Sequence, residues 1–173
     1  TPTAGNGLWT VVSAPNSPVF SSFNDPDAVV TGLITGVYTF RWTVSGGPFC
    51  SDNTDDVIIT VYTAASAGPD QALCDATTIE LTGNTGSVGV WTNISGPTTP
   101  TITPTVPASN KSTASPLVTG SYVFEYTVSY PGCSSSDQVT ITISGQPTTA
   151  VTGPEQYLCR SVTPYTISLP GNS

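Results

Sequence analysis

The sequence predicts an all-β chain of tandem β-sandwiches, and three observations carry that expectation. Stretches such as Tyr122-Val-Phe-Glu-Tyr-Thr-Val-Ser129 alternate strictly, and none holds helical spacing for three turns. Thirty threonines, 16 glycines and 16 prolines read as short strands broken by turns. The runs also repeat. Leu33-Ile-Thr-Gly-Val-Tyr-Thr-Phe-Arg-Trp-Thr-Val-Ser45 returns as Leu117-Val-Thr-Gly-Ser-Tyr-Val-Phe-Glu-Tyr-Thr-Val-Ser129. Gly7-Leu-Trp-Thr10 returns as Gly89-Val-Trp-Thr92, and Asp56-Val-Ile-Ile-Thr-Val61 as Gln138-Val-Thr-Ile-Thr-Ile143. A period of about 80 residues is one small domain, so the chain reads as an array.

The complete repeat runs from about Ala65 to Gly145. Thr77 to Thr82 alternates as a strand and Gly83-Asn84 turns the chain. Val88 to Ile94, holding Trp91, is the next strand, and Thr101 to Thr105 is a short edge. Ser112 to Val118 leads into a turn at Thr119-Gly120. Tyr122 to Ser129 is the long penultimate strand, and Gln138 to Ser144 closes the domain. Six or seven strands with turns every 8–12 residues predict an immunoglobulin-like β-sandwich.

Gly120-Ser-Tyr122 and Gly36-Val-Tyr38 have the form of a tyrosine corner, whose hydroxyl bonds back to the backbone a few residues upstream. The bland alternative is a core aromatic at the start of a strand. Trp9 and Trp91 share one repeat position, and Trp42 is matched by Tyr126. That spacing favours core packing over a sugar-stacking platform.

Read by phase, residues 1–63 form a partial repeat lacking its first strands, residues 64–146 a complete one, and residues 147–173 the first strands of a third. Ala67-Gly-Pro-Asp-Gln-Ala-Leu-Cys74 and Thr152-Gly-Pro-Glu-Gln-Tyr-Leu-Cys159 mark the joints. Tyr165-Thr-Ile-Ser-Leu169 imitates Thr77 to Leu81, and Gly171-Asn172 repeats Gly83-Asn84 and Gly5-Asn6. The expectation is a fragment of a longer chain.

Charge narrows the partners. Only 8% of residues are charged, and the net charge is −8. Arg41, Lys111 and Arg160 cannot build the basic stripe that phosphates demand, so nucleic acid and anionic membranes are poor partners. No run of apolar residues is long enough for a membrane helix, so no membrane insertion is expected. The first residues, Thr1-Pro-Thr-Ala-Gly5, lack the basic start and apolar stretch of a signal peptide.

The four cysteines fall into two positional classes. Cys74 and Cys159 follow the joints, whereas Cys50 and Cys133 lie between the last two strands of their repeats. In an immunoglobulin-like sandwich the chain enters at the pole that holds that final hairpin. The expected bridge is therefore Cys74–Cys133, closing about 60 residues and contributing ~4 kcal/mol on the chain-entropy account. Cys50 and Cys159 then find partners outside this fragment or in a neighbouring chain. A longer array is the simpler source. The other is strand donation, in which residues 147–173 of one molecule complete the first repeat of the next and pair Cys159 with Cys50. With no histidine and no CxxC, zinc binding has little support.

Catalytic means are thin. Without histidine the common hydrolase triads lose their base, and the acidic clusters Asp25, Asp27 and Asp52, Asp55, Asp56 sit on expected turns instead of flanking a groove. The chain is expected not to be an enzyme and to need no cofactor. Calcium is the exception worth carrying. Asp52, Asp55 and Asp56 offer hard oxygens near the joint that holds Asp70, against the alternative of solvated turn acids. Asn93-Ile-Ser95 and Asn110-Lys-Ser112 match the glycosylation triplet at about chance frequency. Lys111 is the only lysine, so the first repeat has none for a Lys–Asn isopeptide cross-link.

Ala67 to Cys74, Gly89-Val-Trp-Thr92, Leu117 to Tyr122, Cys133 and Val139-Thr-Ile-Thr-Ile143 together resemble the tandem PKD-like or immunoglobulin-like repeats of large Bacteroidetes surface adhesins. The resemblance covers essentially the whole chain. It implies export, in the manner of type IX secretion, and display outside the cell, secreted or anchored on the outer membrane. Gliding-motility adhesins are the nearest association. The function so implied is a structural stalk holding an adhesive region away from the cell. Its partners would be neighbouring repeats and other cell-surface or secretion-machinery proteins. The alternatives are a carbohydrate- or surface-binding module, which needs aromatics aligned on an exposed face, and an accessory domain of a secreted enzyme.

Overall fold

Alternating aromatic and polar residues on the two longest runs produce the central strands, and everything else is arranged around them. The computed structural model describes residues 6–85, 88–104, 110–157 and 167–171. In the first repeat lie β1 (Gly7–Ser13), β2 (Val19–Phe20), β3 (Val30–Thr31), β4 (Gly36–Val44) and β5 (Asn53–Val61), with a 3-10 turn at Gly47–Phe49. In the second lie β6 (Gln71–Cys74), β7 (Ile79–Thr82), β8 (Gly89–Ser95) and β9 (Thr101–Thr103). They are followed by β10 (Lys111–Ser115), β11 (Gly120–Tyr130) and β12 (Cys133–Ser144).

The second repeat is a two-sheet sandwich. One sheet runs β6-β12-β11-β8 and the other β7-β10-β9. Every pairing is antiparallel except β6 with β12, which is parallel and places Cys74 opposite Ser144. Tyr122, Phe124, Tyr126 and Val128 point inward from β11, and Val139, Ile141 and Ile143 from β12. Ile79 and Leu81 of β7 close the core from the opposite sheet. This is the predicted immunoglobulin-like arrangement.

The first repeat has the sheet β1-β4-β5 and the ribbon β2-β3. By position these match β8-β11-β12 and β9-β10. Among the described residues nothing stands where β6 and β7 stand in the second repeat.

Both repeats contain the tyrosine corner. The Tyr122 hydroxyl accepts from the Val118 amide at 2.9 Å and meets Thr98 Oγ1 at 2.9 Å. The Tyr38 hydroxyl accepts from the Ile34 amide at 2.7 Å and donates to Asn16 Oδ1. The glycine two residues earlier has a structural reason. Gly36 (φ 144°) and Gly120 (φ 139°) lie in backbone space that side chains rarely occupy. A Cβ there would come within 2.8 Å of the Pro15 ring and 2.3 Å of the Pro97 ring respectively.

Candidate functional site

The second repeat is closed by a segment that sequence reasoning treated as a mere joint. Residues 63–74 enter beside the β11–β12 hairpin and run the length of β12 as its outer neighbour. Ala65 N–H donates to Ser135 Oγ at 3.0 Å and Ala67 N–H to Asp137 Oδ2 at 2.8 Å. Farther on, the Thr140 amide donates to Asp70 Oδ1 at 2.8 Å, and β6 then joins the sheet. The Gly83-Asn84 turn pins the return, with Asn84 N–H on the Ser66 carbonyl and Ser66 N–H on Asn84 Oδ1, both at 3.0 Å. At the entry pole the rings of Tyr62 and Tyr130 stack at 4.1 Å, and the Tyr130 hydroxyl donates to the Thr63 carbonyl.

Among the described residues, the first repeat presents the same receiving surface uncovered. β5 is the edge of its sheet. Its Val57 and Ile59 are 39% and 38% exposed, whereas their counterparts Val139 and Ile141 are each 1% exposed. A groove of about 260 Å³ opens over them, walled by Trp9, Phe20, Val30 and Phe40 and wholly apolar in its lining. An open edge strand of nine residues, apolar over Val57 to Ile59, is a template for another strand. This groove is the candidate site: it can recognise an extended chain through main-chain hydrogen bonds and alternate side-chain pockets.

The expected disulfide is contradicted by the register. The chain does enter at the hairpin pole, but residues 65–74 then travel along β12, so Cys74 ends beside Ser144 while Cys133 opens the strand. Eleven residues separate those two positions, which at a strand rise of about 3.3 Å puts roughly 36 Å between the two cysteines. A disulfide tolerates Cα atoms up to ~7 Å apart. Cys50, Cys74 and Cys133 are all free, exposed thiols. Cys159 lies outside the described residues.

The calcium set is not gathered. Asp52 accepts from the Gly46 amide at 3.1 Å, and Asp55 from the Asp56 amide at 3.1 Å. Asp56 is clasped by Arg41 through Nε at 2.7 Å and Nη2 at 2.8 Å. That contact holds the Asp56 carboxyl below its ordinary range and raises Arg41. Asp70 caps Thr140 in the other repeat. The sequence reading erred in placing the hairpin near the joint: β5 runs the length of the domain between them. Among the described residues no group of three or more Asp, Glu, Cys or His side chains converges on one point.

The tryptophans divide by repeat. Trp91 is buried against Tyr126, and its Nε1 donates to the Asn110 carbonyl at 3.3 Å. Trp9 is half-buried, packs on Trp42 with centroids 5.1 Å apart, and walls the groove. Gly7, across from these rings, has no room for a Cβ beside Trp42.

No family model matches the chain, and no curated protein does. Among solved structures, the chain is similar to the PKD domain of the KIAA 1837 protein, at 22% identity and a TM-score of 0.43 over 57% of this chain and 99% of that one. It is also similar to domains 4–9 of the surface layer protein SbsC, at 11% identity and a TM-score of 0.35 over 95% of this chain and 27% of that one. The endo-fucoidan hydrolase MfFcnA4, of glycoside hydrolase family 107, shows 18% identity and a TM-score of 0.34 over 83% of this chain and 24% of that one. The chain thus spans about a quarter of the length of the last two.

Proposed function

We propose that this chain is a stretch of structural stalk in a secreted, cell-surface adhesin, without catalytic activity of its own. The observation that supports it best is the bound linker. Four hydrogen bonds and a stacked tyrosine pair tie residues 62–70 along the second repeat, so consecutive repeats are coupled through an ordered strand instead of a free tether. Pro69 adds a fixed φ within that segment. Stacked units joined in this way hold a distal region at a distance, as a stalk must. Gliding adhesion and type IX export are the finer reading that the sequence resemblance suggests.

Antibody raised against the chain should label intact source cells. Purified chain added in excess should leave adhesion of those cells unchanged, because a spacer makes no contact with the surface to which the cells adhere. Competition by the free chain would overturn the stalk and favour a binding module. One observation speaks for that second reading: Trp9 and Trp42 flank a depression of about 230 Å³ together with Asp55 and Asp56, a combination of rings and carboxylates suited to a sugar. A glycan captured by the chain and lost on Trp9→Ala would establish it.

A further inference from the structure

The joint between the repeats holds two tyrosines as a fixed pair. Tyr62 follows the last residue of β5, and Tyr130 is the last residue of β11. Their rings lie 9° from parallel with centroids 4.1 Å apart, closer than the ~4.5 Å at which aromatic pairs usually begin. Ring carbons of one therefore stand in van der Waals contact with ring carbons of the other. The backbone keeps them there. The Tyr130 hydroxyl donates to the Thr63 carbonyl at 3.2 Å, and the Ala65 amide donates to Ser135 Oγ at 3.0 Å. On its other side Tyr130 pairs with Cys133 across the Pro131-Gly132 turn, where Gly132 takes a φ of 82°. Both rings are half-buried, so both stay within reach of solvent.

The other tyrosines are placed differently. Tyr38, Tyr122 and Tyr126 are each 0% exposed inside the two cores. Tyr157 is exposed, with its hydroxyl on Glu155 Oε2. Tyr165 lies outside the described residues.

We infer that Tyr62 and Tyr130 form a modification site, at which one-electron oxidation joins the two rings as a dityrosine bridge across the joint. Each phenol gives up one electron and its hydroxyl proton. The two radicals then pair at ring carbons ortho to oxygen, which makes one C–C bond. The hydrogens on those two carbons move as protons to the oxygens and restore both phenols. The chain loses two electrons and two protons in all, and hydrogen peroxide acting through a haem takes them up as two molecules of water. Because the rings are already in contact, coupling is a step within one molecule and outruns the meeting of separate chains. The bond fastens the end of β5 to the β11–β12 hairpin and makes the ordered joint permanent. It needs neither cysteine nor lysine, and it depends on this joint alone and not on what a stalk would carry.

The test treats the full chain, its thiols alkylated, with a small haem peptide and hydrogen peroxide at low micromolar concentration. Intact-mass measurement should show a monomer lighter by two hydrogens, with the blue fluorescence of dityrosine. A digest should contain a peptide linking Tyr62 to Tyr130, and the fraction converted should not change on dilution. Tyr62→Phe and Tyr130→Phe keep both rings, and unchanged circular dichroism would show them folded. Each should nevertheless lose the linked peptide and the fluorescence of the monomer. Chain unfolded in urea should give the linked peptide at a small fraction of the native yield, because parting the repeats parts the rings. A monomer without that mass loss, a peptide linking some other pair in its place, a yield that falls on dilution, or an equal yield in urea would each overturn the inference.

Discussion

Ile141 and Ile59 occupy the same place on the last strand of their sheets, yet one is 1% exposed and the other 38%. The strands bearing them are written in nearly the same residues. What differs is the cover: β6 and β7 lie over Ile141, and among the described residues nothing lies over Ile59. The aromatic half of the core is indifferent to this. Tyr38 and Phe40 remain buried, held by the tyrosine corner and by Phe20, whose ring meets Phe40 edge-on at 5.3 Å. Burial in these repeats is therefore layered. Local contacts secure the β4 or β11 strand, and a separate segment seals the final strand.

The strongest way to break this comparison is to cut the two isoleucines back. Ile141→Ala should cost about 3 kcal/mol, because a closed core cannot collapse into the cavity. Ile59→Ala in the monomeric chain should cost about 1 kcal/mol or less, since its side chain already meets water. Urea denaturation of the two variants gives both numbers. Equal costs would mean that the groove is filled in solution.

Next in size is the glycine of the corner, where the repeats should agree. Gly120→Ala and Gly36→Ala each force a Cβ into a positive-φ position and against a proline ring, at about 2 kcal/mol. A neutral result at Gly36 alone would show that the open repeat relaxes around its corner.

Smaller still is the hydroxyl itself. Tyr122→Phe and Tyr38→Phe leave the Val118 and Ile34 amides without their acceptor, which should cost about 1 kcal/mol each by thermal or chemical melting.

These elements differ in how far the sequence revealed them. The corner, the Trp91 strand and β7 are legible because their signals are local: alternation, a Gly-x-Tyr spacing and a Gly-Asn turn. β6 is not. Gly68-Pro69-Asp70 reads as a break, and only the amide of Thr140 and the edge of β12, both 70 residues away, draw Gln71–Cys74 into a parallel strand. Missing that strand misplaced Cys74 by the length of the domain and produced the wrong disulfide. The groove was legible only indirectly, as strands counted missing from the first repeat. Its apolar lining depends on which side chains the fold leaves uncovered.

The smallest expected effect concerns the ion pairs, and it separates the repeats by what each pair holds. Lys111 donates to Glu80 at 2.6 Å, tying β7 to β10. Arg41 clasps Asp56 across β4 and β5, strands already joined along nine residue pairs. Both carboxyls are held below their ordinary range by the hydrogen bond to their basic partner. A lowered folded-state value means stability that is fully present above the unfolded value, near pH 4, and is lost as pH falls through the folded value. Glu80→Gln and Asp56→Asn should thus lower the urea midpoint slightly at pH 7, and the gap to the parent chain should close toward pH 3. Exposure and salt screening keep both effects small. Glu80→Gln should be the larger, because β7 is a four-residue strand whose detachment would turn the closed repeat into a likeness of the open one. If Asp56→Asn proves the more damaging, the Glu80–Lys111 pair adds little to the seal on the second repeat, which then rests on Ile79 and Leu81 and on the bonds that Asp70 and Asp137 accept.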